Sequence, residues 1–148
     1  EKAGVAGKDV EIYLLAKGGL MPSACKVDAN NAKLASGPIL RSDDIISYSS
    51  STHIFTLQPA AFKSIEALTD KTPFAVTVDG EVIYYGVVKL NISSSSCDQS
   101  ITMNSMRFEN TIEMRLGYPG LVNGVVIEDK RNDELLISTL KSLGKLIP

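Results

Sequence analysis

The side chains best suited to chemistry in this chain are its single histidine, a run of four serines and several aspartates. His53 could act as a base, Ser93–Ser96 offer hydroxyl groups, and Asp43, Asp44 or Asp98 could orient the histidine. Hydrolysis by such a set requires its members to lie within hydrogen-bond reach of one another. No serine is surrounded by the glycine pattern of a nucleophile elbow. A hydrolase using His53 with the Ser93–Ser96 corner is therefore the alternative prediction, and the main prediction assigns no catalytic residue.

The residues that could bind metal are too few or too interrupted for a predicted site. A closed zinc site needs four ligands, and the one histidine and two cysteines do not supply them at suitable spacing. Asp129–Glu134 is rich in oxygen ligands, but Lys130 and Arg131 interrupt it, which favours a solvated helix start over a cation site. The glycines also lack phosphate-binding or dinucleotide-binding spacing. We predict no metal and no cofactor.

Three tyrosines are the candidate ligand-binding residues, Tyr84 and Tyr85 together with Tyr48. Successive side chains of a β-strand point to opposite faces, so one of Tyr84 and Tyr85 should face the core and the other the solvent. An exposed aromatic side chain on a sheet is a frequent feature of recognition surfaces. The pattern indicates a tyrosine-lined surface for a small-molecule or protein partner.

Composition limits the class of protein. The chain has 148 residues, 44% of them hydrophobic and 22% charged, with a net charge of −2, which is typical of one ordinary globular domain. No basic cluster is longer than Lys130-Arg131, which argues against nucleic acid as a partner. No apolar run approaches the roughly 20 residues of a membrane span. We predict a single domain over residues 9–148; its oligomeric state is left open.

The chain opens with small and polar residues, and residues 1–8 are predicted to be a flexible linker after a removed targeting segment. In a lipid-anchored protein such a linker would follow an acylated cysteine. Cys25 and Cys97 leave two alternatives open, a disulfide in an oxidising compartment or two unrelated thiols.

The most strongly patterned stretch runs from Thr72 to Thr102. Two apolar, β-branched runs flank Asp79-Gly80, a pair typical of a type I′ hairpin turn. Gly86, inside the second run, indicates a bulge or a close approach of backbone. A serine-rich corner follows, with Asp98 as a further turn residue, and Asp79, Gly80, Gly86 and Asp98 are all predicted to be structural.

The pattern predicts an α+β fold. A mixed or antiparallel sheet of five to seven strands is expected, including a short strand at Val125–Ile127. One helix at about 59–69 should pack across this sheet, because its apolar residues recur at three- and four-residue spacing. A C-terminal helix at about 132–143 should pack at an edge or on the same face.

The segment "FAVTVDGEVIYYGVVKLNISSSS" with "ITM" after it and "HIFTLQPAAFKSIEALT" before it resembles the periplasmic part of the SecD translocase subunit. It is also similar to uncharacterised secreted or lipid-anchored bacterial proteins with a "PFxVxVDGExIYxG…SSxSFDG" pattern, although Cys97-Asp98-Gln99 replaces the expected Phe-Asp-Gly. The resemblance covers roughly Asp43 to Met103. It implies a fold and an extracytoplasmic location, periplasmic or at the cell surface.

These observations predict a non-catalytic, extracytoplasmic binding or interaction domain of a secreted or lipid-anchored bacterial protein. The hydrolase described above is one alternative. An accessory role in protein export is another, and it rests on fold analogy, which does not carry function by itself.

Overall fold

The computed structural model describes residues 8–17, 19–21, 25–90, 96–120 and 124–148. They form one nine-stranded mixed sheet and two α-helices, α1 (Pro59–Glu66) and α2 (Glu134–Ser142). In chain order the strands are β1 (Val10–Lys17), β2 (Lys33–Leu34), β3 (Ile45–Ser49), β4 (Ile54–Leu57), β5 (Pro73–Val78), β6 (Glu81–Val88), β7 (Cys97–Met106), β8 (Thr111–Tyr118) and β9 (Leu146–Ile147). Residues 1–7, most of the predicted linker, lie outside the described residues.

The strands lie in the order β2-β1-β5-β6-β7-β8-β4-β3-β9. Neighbours are antiparallel except in the pairs β6–β7 and β3–β9, which are parallel. The predicted count of five to seven strands is wrong. Strands β2 and β9 have two residues each, too few to show an alternating pattern, and they extend both edges of the sheet. Val125–Ile127, predicted as a short strand, has no regular structure.

The prediction of one helix packed across the sheet is also wrong. Helix α2 contacts β1 and β5, the second and third strands from one edge, and the strand β9 at the other edge, and α1 adds its buried residues to the same core. The reason lies in the apolar stripe of α2, where Leu136 and Leu140, one turn apart, are fully buried. Asp133 starts this helix by accepting a hydrogen bond from the Leu135 N–H at 3.0 Å. Neither helix of the described residues is long and apolar enough to cross a membrane.

The main hydrophobic core lies on the face of the sheet that both helices cover. Alternate residues of each strand point into it, as the pleat requires. The buried strand residues of this core include Val10, Ile12, Phe55, Phe74, Val76, Ile101, Met103, Ile112 and Met114.

The opposite face carries a second, smaller core and a row of buried polar residues. Val27, Val87 and Cys97 form the apolar cluster. Along β7 the side chains that alternate with the main core are Ser100, Thr102 and Asn104, and each is at least 93% buried. The alternating sequence of β7 therefore does not separate a buried face from an exposed one; both faces of this central strand are covered.

A disulfide joins Cys25 to Cys97, with the two Cα atoms 5.2 Å apart. Of the two alternatives that the sequence left open, the disulfide is thus confirmed. A loop of this length contributes about 4 kcal/mol in the chain-entropy model. Because disulfides persist in oxidising compartments, this bond indicates an extracytoplasmic environment.

The hairpin between β5 and β6 has the predicted turn. Asp79 and Gly80 have φ angles of 52° and 85°, and positive values at both central residues define type I′. Asp98 differs from its predicted role as a turn residue. It lies within β7, directly after the disulfide-bonded Cys97, because β7 begins earlier than the serine-rich sequence suggests.

Gly86 marks the closest approach of three central strands. It pairs with Phe74 of β5 and with Ile101 of β7. A methyl group on Gly86 would overlap the Phe74 ring and would lie 2.9 Å from the Ile101 carbonyl oxygen. Of the two interpretations offered by the sequence, close approach is therefore the one found at this residue.

We expect Gly86→Ala to destabilise the fold, because a buried ring and a strand carbonyl must both move to admit one methyl group. Overpacking of this kind costs about 1–3 kcal/mol. Urea unfolding would measure the loss. Gly37→Ala is the matched control, since nothing lies within 4 Å of an added Cβ there. Equal stability of the two variants would contradict the close packing at Gly86.

Candidate functional site

A cleft opens between β6 and β7 where their pairing ends. The two parallel strands are paired only over Gly86–Val88 and Ile101–Met103. On the N-terminal side of this short ladder they separate around a cleft of about 300 Å³. Residues Ile83–Tyr85 of β6 and Gln99–Ile101 of β7 line it. The cleft therefore interrupts the sheet between two central strands.

Irregular pairing bends both strands at the cleft. In β6 the register against β5 shifts between Val76 and Thr77, which leaves Ile83 as an extra residue. In β7 the register against β8 shifts between Cys97 and Ile101. A β-bulge bends its strand and increases the local twist, and bulges are common beside binding sites. The two irregularities explain why β6 and β7 separate here.

A first wall, residues 26–29, lines the cleft on the side of the smaller core. Val27 of this wall is buried in that core, and Lys26 and Ala29 also line the cleft. The neighbouring disulfide attaches the wall to β7 through Cys97. Backbone hydrogen bonds from Asp28 N–H to Gly19 O at 2.8 Å and from Met21 N–H to Lys26 O at 2.7 Å hold its two ends.

A second wall, residues 126–130, lines the cleft on the side of the main core. Ile127 packs against that core, whereas Val126 is 93% exposed. Arg131 holds this wall to the sheet. Its guanidinium donates a hydrogen bond to the Met114 carbonyl oxygen of β8 at 3.1 Å and pairs with both carboxylate oxygens of Asp129 at 2.9 Å.

The ion pair between Asp129 and Arg131 shifts the pKa values of both side chains. The hydrogen bonds from the Arg131 side chain, with a smaller contribution from its backbone N–H, lower the pKa of Asp129 below its ordinary value despite partial burial. Asp129 in turn raises the pKa of Arg131. The pair is therefore charged at neutral pH, and it stiffens a segment that contains no helix or strand.

Tyr48, one of the three predicted ligand-binding tyrosines, does not line the cleft. It is fully buried, and its hydroxyl lies 2.7 Å from Asn132 Oδ1 and 3.0 Å from the Arg131 carbonyl oxygen, which accept its proton. Asn132 also donates to the Ser50 carbonyl oxygen at 2.8 Å. Burial raises the pKa of Tyr48, so it stays a neutral donor. Tyr48 thus fastens the end of the second wall to β3.

Tyr84 and Tyr85 both line the cleft, and they point to opposite faces as the alternation predicts. Tyr84 belongs to the main core, and only 6% of its surface is exposed. Its hydroxyl has no hydrogen-bond partner among the described residues, and burial raises its pKa well above the ordinary value. Tyr85 is half-buried against the smaller core.

The cleft mixes charged and polar groups with these aromatic rings. Gln99 and Lys26 are exposed at it, and Ser100 is buried. Lys130 is close to Glu128 at 3.8 Å and to Asp133 at 3.9 Å, so its charge is balanced. Lys26 has no ion-pair partner within the described part of the chain. Such a lining can orient a polar or amphipathic ligand.

A second polar cluster lies at the paired end of β6. The Lys89 side chain is fully buried, with its ammonium 3.4 Å from both Asp70 carboxylate oxygens and 5.1 Å from the centre of the Tyr118 ring. Asp70 also accepts the Leu90 N–H at 2.7 Å, and Asn104 donates to the Lys89 carbonyl oxygen at 3.0 Å. These contacts hold the chain where it leaves β6. The ion pair between Lys89 and Asp70 is therefore structural.

The hydrolase residues are only partly described. Ser93–Ser95 lie outside the described residues, and Ser96 is exposed at the start of β7. His53 precedes Ile54, which pairs with Glu113, which in turn pairs with Asn104. Cys97 pairs with Tyr118, which is five residues along β8 from Glu113, roughly 17 Å of strand, so Ser96 is beyond hydrogen-bond reach of His53.

His53 itself is a turn residue with φ 62°, directly before β4. Burial lowers its pKa, and the nearby Arg131 lowers it further. Within the described residues no group of three potential ligands is arranged to hold a metal ion.

Sequence reasoning singled out Tyr84 and Tyr85 but missed the cleft beside them. Asp129–Glu134 is interpreted from the sequence as a solvated helix start, although the side chains of Asp129, Arg131 and Asn132 hold the second wall. Comparisons of the chain with protein-family models, with curated proteins and with solved structures found no match.

We expect Tyr48→Phe and Tyr84→Phe to have different effects on stability, although each removes one buried hydroxyl. Tyr48→Phe leaves Asn132 and the Arg131 carbonyl oxygen without their donor, which costs about 1–3 kcal/mol. Tyr84→Phe removes a hydroxyl that has no described partner, so the free energy of unfolding should stay equal or rise. Chemical denaturation of both variants checks this, and an equal loss would contradict it.

We expect Asp129→Asn to lower stability at pH 7 and to have a progressively smaller effect as the pH falls below the unfolded-state pKa of about 4. The pKa of Asp129 is depressed in the fold, so its stabilisation is present above the unfolded-state pKa of about 4 and is lost as the pH falls through the folded-state value. Thermal unfolding of variant and parent across pH 3–7 measures the difference. Glu128→Gln, at a more exposed neighbouring carboxylate, should change stability less. A difference independent of pH would contradict the ion-pair role.

Proposed function

We propose that this protein is an extracytoplasmic, non-catalytic binding domain whose ligand occupies the cleft between β6 and β7. The observation that carries the proposal is the cleft itself, an opening between two central strands with independently anchored walls on both faces. A sheet that only had to be stable would continue the β6–β7 ladder through this position. Tyr84, Tyr85, Gln99 and Lys26 supply the aromatic and polar groups that ligand sites combine.

The proposed setting is a secreted or lipid-anchored bacterial protein, at the cell surface or in the periplasm. The Cys25–Cys97 disulfide supports an oxidising environment. The resemblance of the central hairpin to SecD-like sequences supports the finer assignment. Two alternatives stay predictions: an accessory role in protein export, and hydrolysis that uses His53. No contact among the described residues favours either of them.

The proposal is tested by closing the cleft. Ala29 is an exposed residue of the first wall, and Ala29→Trp would fill the opening. Ala60→Trp adds the same ring at an exposed position on α1 and is the matched control. The probes are amino acids, di- and tripeptides, mono- and disaccharides and nucleosides, tested by thermal shift, because a ligand that binds the folded state raises Tm.

We expect at least one probe class to raise the Tm of the parent and of Ala60→Trp but not of Ala29→Trp. Reduction of the disulfide should weaken the same binding, since it releases the first wall from β7. A panel without any stabilising probe, or equal stabilisation of Ala29→Trp, would contradict binding in the cleft.

A further inference from the structure

We infer that the ligand of the cleft is an extended peptide segment, which pairs with β6 and β7 as an added strand. This inference rests on the proposed function and names the class of ligand. The backbone of the two strands, more than any one side chain, points to it.

Within the described part of the chain, the facing edges of β6 and β7 have no strand partner beside the cleft. β6 pairs with β5 from Glu81 onward, and β7 pairs with β8 at Cys97 and again from Ile101. On their facing edges, pairing begins only at Gly86 and Ile101. Among the described residues no backbone hydrogen bond joins Ile83–Tyr85 to Gln99 or Ser100.

Unpaired strand edges are templates for another strand. The N–H and C=O groups of such an edge accept an extended peptide by β-augmentation, with the main chain supplying affinity and alternate side chains supplying specificity. Here two such edges face each other across one opening. Neighbouring strands lie about 4.8 Å apart, so an inserted strand needs its two neighbours at about twice that separation. Ile83–Tyr85 and Gln99–Ser100 line the same cleft without pairing, so an inserted strand would lie between them.

The volume of the cleft, about 300 Å³, limits the inserted segment to a few residues. Successive side chains of that segment would point to opposite faces of the sheet. One set would meet the second wall, where Val126 is 93% exposed and Ile127 is half-buried. The other set would meet the first wall, where Lys26 has no ion-pair partner in the described part of the chain. The preferred peptide therefore alternates apolar and acidic residues.

The experiment uses the intact, oxidised protein and a bead-bound library of six-residue peptides with randomised side chains and blocked termini. Parent protein, Ala29→Trp and Ala60→Trp are compared. We expect some bead-bound peptides to bind the parent protein and the Ala60→Trp variant but not the Ala29→Trp variant. Retained peptides should be rich in alternating acidic and apolar residues. Lys26→Glu should abolish the acidic preference, and Lys63→Glu, at an exposed site on α1, should not.

The decisive comparison alters only the peptide backbone. Methylation of alternate backbone nitrogens in a retained peptide removes hydrogen-bond donors and leaves every side chain in place. We expect one of the two methylation registers to weaken binding at least about 10-fold, because each lost hydrogen bond to a strand edge lowers affinity. Unchanged affinity in both registers would overturn strand pairing.

Failure of this inference is distinguishable from failure of the proposed function. A saccharide or nucleoside that binds the parent but not Ala29→Trp, with no peptide retained, would overturn the peptide inference and leave the cleft as a binding site. No binding by any probe or peptide would overturn both.

Discussion

The architecture depends on how closely the backbones of β5, β6 and β7 approach at Gly86. The Phe74 ring covers this glycine from β5, and Ile101 pairs with it from β7. The parallel ladder between β6 and β7 has three residue pairs, and the pair of Gly86 with Ile101 is the one next to the cleft. On one side of Gly86 the sheet is continuous; on the other side it opens. The cleft therefore has a closed end made by a residue that has no side chain.

The two ends of β6 are stabilised by different chemistry. At the closed end the buried Lys89 ammonium is balanced by Asp70 and lies against the face of the Tyr118 ring. Loss of either partner would leave a buried charge uncompensated, which costs far more than the pair itself contributes. At the open end no charged side chain of the described residues is buried. The walls there are held by the disulfide and by hydrogen bonds from Arg131 and Tyr48, all of which act outside the cleft. The side chains that make these contacts are not among those that line the cleft.

Local chemistry made the central hairpin predictable. Four features of this hairpin depend on residues close in sequence. They are the type I′ turn at Asp79-Gly80, the apolar strands around it, the tight packing of Gly86 and the opposite orientations of Tyr84 and Tyr85. The two-residue strands at the sheet edges were not predictable, because pairing partners create them and their own sequence does not. The placement of α2 against β1, β5 and β9 depends on contacts between distant segments. A prediction from pattern alone assigned the central position to α1.

The cleft was unpredictable for a related reason. Its lining comes from β6, β7 and two walls that lie up to about 100 residues apart in the chain, and its shape depends on register shifts. Single bulged residues leave no periodic signal. Tyr48 is predicted from the sequence to be a ligand-binding residue, because tyrosine is frequent at recognition surfaces, and the structure buries it. Its buried hydroxyl is satisfied by Asn132, a partner 84 residues away that sequence alone could not identify.

The disulfide connects the proposed binding site to the compartment of the protein. Cys97 starts β7 at the end that bends away from β6, and Cys25 adjoins the first wall. In a reducing environment, the contacts left to this wall among the described residues would be its local backbone bonds and the packing of Val27. The stabilisation lost would be the largest single contribution to this part of the fold, since about 4 kcal/mol exceeds any one hydrogen bond in either wall. The same covalent bond that indicates an extracytoplasmic location therefore also shapes the cleft, and the cleft should be fully formed only where that bond persists.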